Sequence, residues 1–130
     1  MPSLENNKYI YSLRDLLRKK HLNLDLDLND YIYDNYDIKN IESCKAEISF
    51  ISKDKLSASM NLKVSSELLL IDVVTLEPFN LTLQFESDII LSQDDISHPD
   101  YVISDSFDLG MIIYQEIVVE MPAFPKKDSI

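Results

Sequence analysis

The chain has 130 residues, 45% of them hydrophobic and 27% charged, with a net charge of −11; this is enough apolar matter for one domain with one core and too much for a disordered tail. One glycine, one cysteine and no tryptophan exclude glycine-rich phosphate loops, internal disulfides and a cysteine cluster for zinc. The charge is divided: residues 1–63 balance ten Lys and Arg against ten Asp and Glu, whereas 64–125 carry twelve acids and neither Lys nor Arg, so the second half is expected to repel nucleic-acid phosphate and to attract basic partners.

The first segment, Lys8–Tyr11, reads as a short strand. Ser12 follows as a helix N-cap, with Asp15 three residues on completing a capping box. Leu13, Leu16 and Leu17 form one stripe of this helix, and Arg18, Lys19 and Lys20 favour its C-terminal end, near Lys20. In "HLNLDLDLN", Leu22, Leu24, Leu26 and Leu28 alternate with Asn23, Asp25, Asp27 and Asn29, the period of a half-buried strand. Asp25, Asp27 and Asn29 have the spacing that opens a calcium loop, but Asp30 stands where that loop needs glycine and Tyr36 where it needs glutamate.

Residues 29–43 are polar and mixed and read as loop. A hairpin follows. Cys44, Ala46, Ile48 and Phe50 alternate with polar residues, "SKDK" turns the chain, and Leu56, Ala58, Met60, Leu62 and Val64 alternate on the way back. A further strand over Glu67–Val73 is apolar on both faces and is expected to be central. Beyond Glu77-Pro78, the residues Phe79, Leu81, Leu83 and Phe85 point inward from another strand. Residues 92–106 read as an acidic loop with a short strand at Tyr101–Ile103. Phe107–Glu120 carries signals of both strand and helix; Ser106 as cap and the face Leu109, Ile112, Ile113 and Ile117 favour a helix to about Glu116, then an extended piece before Pro122. The expected fold is α+β: a single domain, a mostly antiparallel sheet with a short N-terminal and a C-terminal helix.

Little in this inventory is catalytic. Cys44 sits in an apolar alternation and reads as a core residue. His21 stands beside Lys20 at a helix end, and His98 lies in a loop with Asp94, Asp95 and Asp100. That loop is the one place where hard oxygen ligands gather round an imidazole, so a small metal-dependent enzyme is an alternative reading. Arg14, Arg18, Lys19 and Lys20 are the only concentrated positive patch, with Tyr9 and Tyr11 just before it, so an RNA-binding module is another. Otherwise no catalytic residue, metal site, cofactor or small-molecule substrate is expected. No run approaches the ~18 apolar residues of a membrane helix, and "MPSLENNKYIYS" lacks a basic-then-apolar export pattern, so no membrane association and a cytoplasmic location are expected.

The stretch "ELLLIDVVTLEPFNLTLQFESDIIL" resembles the signature of the YceD family, the bacterial large ribosomal RNA subunit accumulation proteins. There a strand leads into roughly C-x-R-C-L-E-x-F and then an alternating strand, and in some relatives the cysteines are serines. Here Asp72 and Thr75 fall on the cysteine or serine positions, Val74 falls on the arginine, and Leu76, Glu77, Pro78 and Phe79 match. The tail "FDLGMIIYQEIVVEMPAFP" is similar too, through Asp108-Leu109, Glu116-Ile117, Pro122 and Pro125. The similarity covers residues 44–126; 1–43 is the less certain N-terminal part of the same domain. The resemblance implies a non-enzymatic factor in large-subunit assembly and ribosomal RNA accumulation, acting through a basic ribosomal protein or assembly factor. It puts Leu76, Glu77, Pro78 and Phe79 at the contact, with Glu77 the exposed member.

Overall fold

In a computed structural model, residues 8–32, 37–96 and 98–122 are described. In chain order they form β1 (Ile10–Ser12), α1 (Leu13–Lys19), β2 (His21–Asp25), a 3-10 turn (Asn29–Tyr31), β3 (Ile38–Ser52), β4 (Ser57–Ile71), β5 (Pro78–Ser92), β6 (Tyr101–Val102), β7 (Ser106–Asp108) and α2 (Leu109–Glu120). The fold is α+β. A five-stranded sheet runs β2-β3-β4-β5-β6, and β1 pairs with β7 in a separate ribbon. Every pairing is antiparallel except β5 with β6.

Three strands of 15 residues make the frame. Period-two alternation puts Ile48, Leu62 and Leu70 on the buried face, and Leu16 of α1 and Ile113 and Ile117 of α2 are buried with them in one core. The other face is open and polar. Asn23, Glu47, Lys63 and Glu86 stand in one cross-strand row, where Lys63 lies between two carboxylates and contributes modestly to register.

α1 forms as the sequence dictates: Ser12 Oγ accepts the Asp15 N–H at 3.2 Å. α2 is held differently. Asp108 caps it, accepting the Met111 N–H at 3.2 Å, while the same carboxylate accepts the Tyr31 hydroxyl at 2.8 and 2.9 Å. Burial first, and then this carboxylate, push the Tyr31 phenol far above its ordinary range. The chain's single glycine is here: a Cβ on Gly110 would lie 2.8 Å from both Tyr31 Oη and Tyr9 Cδ2, so the close approach of α2 to these tyrosines requires its absence.

Several boundaries differ from expectation. β3 begins at Ile38 rather than near Cys44, because bulges at Lys39 and Glu42, each an extra residue opposite β4, break the alternation that would have announced a strand. The two strands expected at Leu56–Val64 and Glu67–Val73 are one strand, β4, third in the order of five; its two-faced apolar end reflects a central place, as expected. Leu56 belongs to the turn and is exposed. β5 runs on to Ser92. The cap of α2 is Asp108 and not Ser106, and the helix continues to Glu120. Ser106–Asp108 is held as strand by β1, through Ser12↔Ser106, Tyr11↔Phe107 and Ile10↔Asp108, a long-range pairing with no local signal. The calcium-like run also resolves: Asp27 Oδ1 accepts the Asn29 N–H at 3.2 Å in a local turn, and Tyr36 lies outside the described residues.

Candidate functional site

Six residues, Asp72–Glu77, connect β4 to β5, and their shape is set by side-chain acceptors. Asp72 Oδ1 takes the N–H groups of Val74 at 2.7 Å and Thr75 at 3.1 Å. The Asp72 carbonyl accepts the Leu76 N–H at 2.8 Å, and the Asp72 N–H reaches the Glu77 carbonyl at 2.9 Å. Thr75 Oγ1 accepts the Glu77 N–H at 3.3 Å. The Asp72 side chain is buried beneath the turn it organises. Pro78 then opens β5 opposite Ile71, a position that needs no N–H donor.

This geometry forces Leu76 into the left-handed region, at φ 63°, an outlier for a branched side chain that costs about 1–2 kcal/mol. It also turns the apolar residues outward: Leu76 is 74% exposed, Val74 68% and Val73 38%. Glu77 was expected to be the exposed member of the matched four; Leu76 is exposed as well, its left-handed backbone turning the side chain away from the core. Phe79 is the anchor, at 7% exposure, and Glu77 is exposed as expected. Val73 reads as the tail of a buried strand and Val74 only as the residue on the family's arginine position; the Asp72-x-x-Thr75 spacing that bends the chain there is the signal that finds their exposure. A positive φ at a non-glycine residue and three exposed apolar side chains thus fall together in one hydrogen-bonded turn.

The basic residues lie at another part of the surface. Arg14, Arg18, Lys19 and Lys20 are all exposed. Arg14 and Arg18 line a groove of about 750 Å³ with Lys55, but Asp15, Asp54 and Asp105 line it too. Arg18 lies 3.8 Å from Asp15, and the Asp54 carboxyl is held below its ordinary range, first by the Leu56 N–H. Lys19 Nζ sits 5.8 Å over the Tyr11 ring. Tyr9 is withdrawn into the core, its hydroxyl accepting the Asp27 N–H at 2.8 Å, so of the two tyrosines only Tyr11 is near the surface.

The acidic loop does not converge on a metal position. Asp100 Oδ2 accepts the Ile90 N–H at 2.7 Å and Asp94 Oδ1 the Ile96 N–H at 3.1 Å. Among the described residues no three His, Cys, Asp or Glu side chains are grouped as for a metal ion. Acids of the second half that were read as surface charge are partly engaged inside: besides Asp72 and Asp108, Glu116 accepts the Tyr101 hydroxyl at 2.6 Å and the Ser87 hydroxyl at 3.2 Å. His21 Nδ1 lies 3.1 Å from Ser49 Oγ on the open face of the sheet. Among the described residues no helix is long and apolar enough to cross a membrane. Compared with known protein families, curated proteins and solved structures, the chain matches none.

Proposed function

We propose that the protein is a non-enzymatic cytoplasmic factor in large ribosomal subunit assembly, needed for accumulation of the large-subunit ribosomal RNA. It binds a basic ribosomal protein or assembly factor through the β4–β5 turn. One observation carries the reading: the stretch that resembles the YceD signature coincides with an outward-facing apolar turn fixed by five hydrogen bonds. Asp72 and Thr75, on the family's cysteine or serine positions, both use a side-chain acceptor to tie turn N–H groups. That role accounts for polar residues there irrespective of which one is chosen. Leu76 and Val74 give the apolar contact, and Glu77 gives a charge beside a rigid proline. Absence of Lys and Arg from 64–125 suits a basic protein better than bare RNA.

Depletion of the protein tests this. The large-subunit ribosomal RNA is expected to fall relative to the small-subunit RNA; an unchanged ratio under verified depletion rejects the reading. Capture from lysate at low salt is expected to recover ribosomal proteins or assembly factors, less so with Glu77→Lys.

A further inference from the structure

β5 is paired along its whole length on one side and, among the described residues, meets a strand only near its end on the other. On the β4 side the register is unbroken from Ser57↔Ser92 to Ile71↔Pro78. On the far side β6 meets only Leu91 and Ser92. The direction of the backbone groups follows from two fixed points. Ile90 gives its N–H to Asp100 Oδ2 and receives the Asp100 N–H on its carbonyl, and the Ser92 carbonyl receives the Ile103 N–H. Both residues therefore face away from β4, and in an unbulged strand every second residue does the same. Asn80, Thr82, Gln84, Glu86 and Asp88 thus direct their N–H and C=O outward, and among the described residues no backbone bond from a turn or loop reaches them. Pro78 fits the same phase, since its missing N–H falls on the outward side. Leu83 and Phe85, on the inner face of this strand, are only half-buried, whereas Cys44 and Val64 in the same layer of the sheet are buried.

We infer that the β5 edge is a docking site for an extended, Lys- and Arg-rich protein segment, which adds as a sixth strand beside Asn80–Ile89. Main-chain bonds to the five outward-facing residues supply the affinity, and alternate side chains supply the selection. Charge chooses the occupant. Glu86 and Asp88 stand exposed on this edge strand; both accept from Asn61 Nδ2, at 2.8 and 2.9 Å, and Lys63 lies across from Glu86 on β4, but 64–125 holds twelve acids and neither Lys nor Arg, so acid outweighs base along the edge. A second copy docked edge to edge would set these carboxylates against its own, which disfavours self-pairing; a basic strand meets them favourably. The inference rests on the edge and its charge, independently of the ribosomal reading, so depletion can fail while strand addition holds, and the reverse.

The test uses the full chain and a synthetic peptide of alternating lysine and valine long enough to span Asn80–Ile89. Two analogues accompany it: one with glutamate for lysine, and one N-methylated at alternate amides on the edge that would pair. Binding is read by fluorescence anisotropy and by amide exchange. The lysine peptide is expected to bind and to slow exchange at Asn80, Thr82, Gln84, Glu86 and Asp88; the N-methylated peptide is expected to bind at least about tenfold more weakly. Gln84→Pro removes one outward N–H and should weaken the lysine peptide by a similar factor. The N-methylated peptide keeps the test valid should that variant misfold. Equal binding of the N-methylated or glutamate peptide, slowed exchange elsewhere, no binding, or peptide-free dimerisation through this edge would each overturn the inference.

Discussion

The two edges of the central three-strand frame are finished in opposite ways. On the β3 side the edge is closed in pieces. β2 covers Lys45–Ser49. Beyond it, Asn29 acts as a one-residue strand: its Oδ1 accepts the Ile41 N–H at 2.8 Å and its Nδ2 donates to the Ile41 carbonyl at 3.0 Å. Bulges at Lys39 and Glu42 bend the rest. On the β5 side there is no bulge, and Asn80–Ile89 meets no strand among the described residues. Bulges, short edge strands and side-chain caps are the ordinary defences against unwanted pairing. Along β3 all three are used; on the β5 side a short strand and the Asp100 side chain close only the end near Ser92, and over Asn80–Ile89 charge is the defence left among the described residues.

Proline draws this contrast most sharply. Lys63→Pro, in the doubly paired β4, is expected to cost about 3 kcal/mol or more and to leave much of the protein unfolded. Gln84→Pro, whose lost N–H points outward, is expected to cost about 1 kcal/mol or less. Urea unfolding of the two variants measures the difference; equal losses would mean that the β5 edge is paired.

On the closed side, Asn29→Ala removes both partners of Ile41. It is expected to cost about 2 kcal/mol, since a buried residue's N–H and C=O are left unmatched. Exchange at the Ile41 amide should accelerate while the outward amides of Asn80, Thr82, Gln84, Glu86 and Asp88, already open, should not change. Uniform acceleration along the sheet would show that Asn29 supports the whole fold and not this edge.

What the sequence made legible, and what it hid, follows the same division. β5 and the hairpin of β3 with β4 alternate plainly because nothing interrupts their period. The first third of β3 was lost in a presumed loop because Lys39 and Glu42 each shift the phase by one residue. α2 was found, but its start was displaced, because Asp108 is fixed by Tyr31 and by pairing with β1, contacts far away in sequence. At the turn, the matched residues Leu76–Phe79 gave the place. They did not give the orientation: that Leu76 faces out and Phe79 in is decided by Asp72, whose capping bonds depend on a three-dimensional bend.

Leu76→Gly separates the turn's shape from its surface. Glycine relieves the positive φ but loosens the unfolded chain, and the two effects nearly cancel, to within about 0.5 kcal/mol. Capture of the proposed basic partner should nevertheless fall, since the exposed side chain is gone. A variant that keeps full capture would move the contact away from Leu76 and onto Glu77 or β5.

Cys44 offers the finest probe of the closed edge. Its carbonyl accepts the Leu26 N–H at 2.8 Å just where β2 gives out, and its side chain is buried. Burial pushes the thiol up from 9.0 to about 11, partly opposed by the hydrogen bond with Ser66 and aided by the charge of Asp25. A thiol whose folded value is raised favours the folded state while neutral. Its contribution is whole below pH 9.0 and is lost as pH climbs through the folded value of about 11. Between about pH 8 and pH 10 the wild type should therefore lose roughly 1 kcal/mol more than Cys44→Ala, compared by urea midpoints at each pH. At about pH 8 the native thiol should resist alkylation, because reaction needs an exposed thiolate, and Asn29→Ala should speed it by opening the same edge. Rapid labelling of the wild type, at a rate independent of Asn29, would mean that β3 is no better closed than β5.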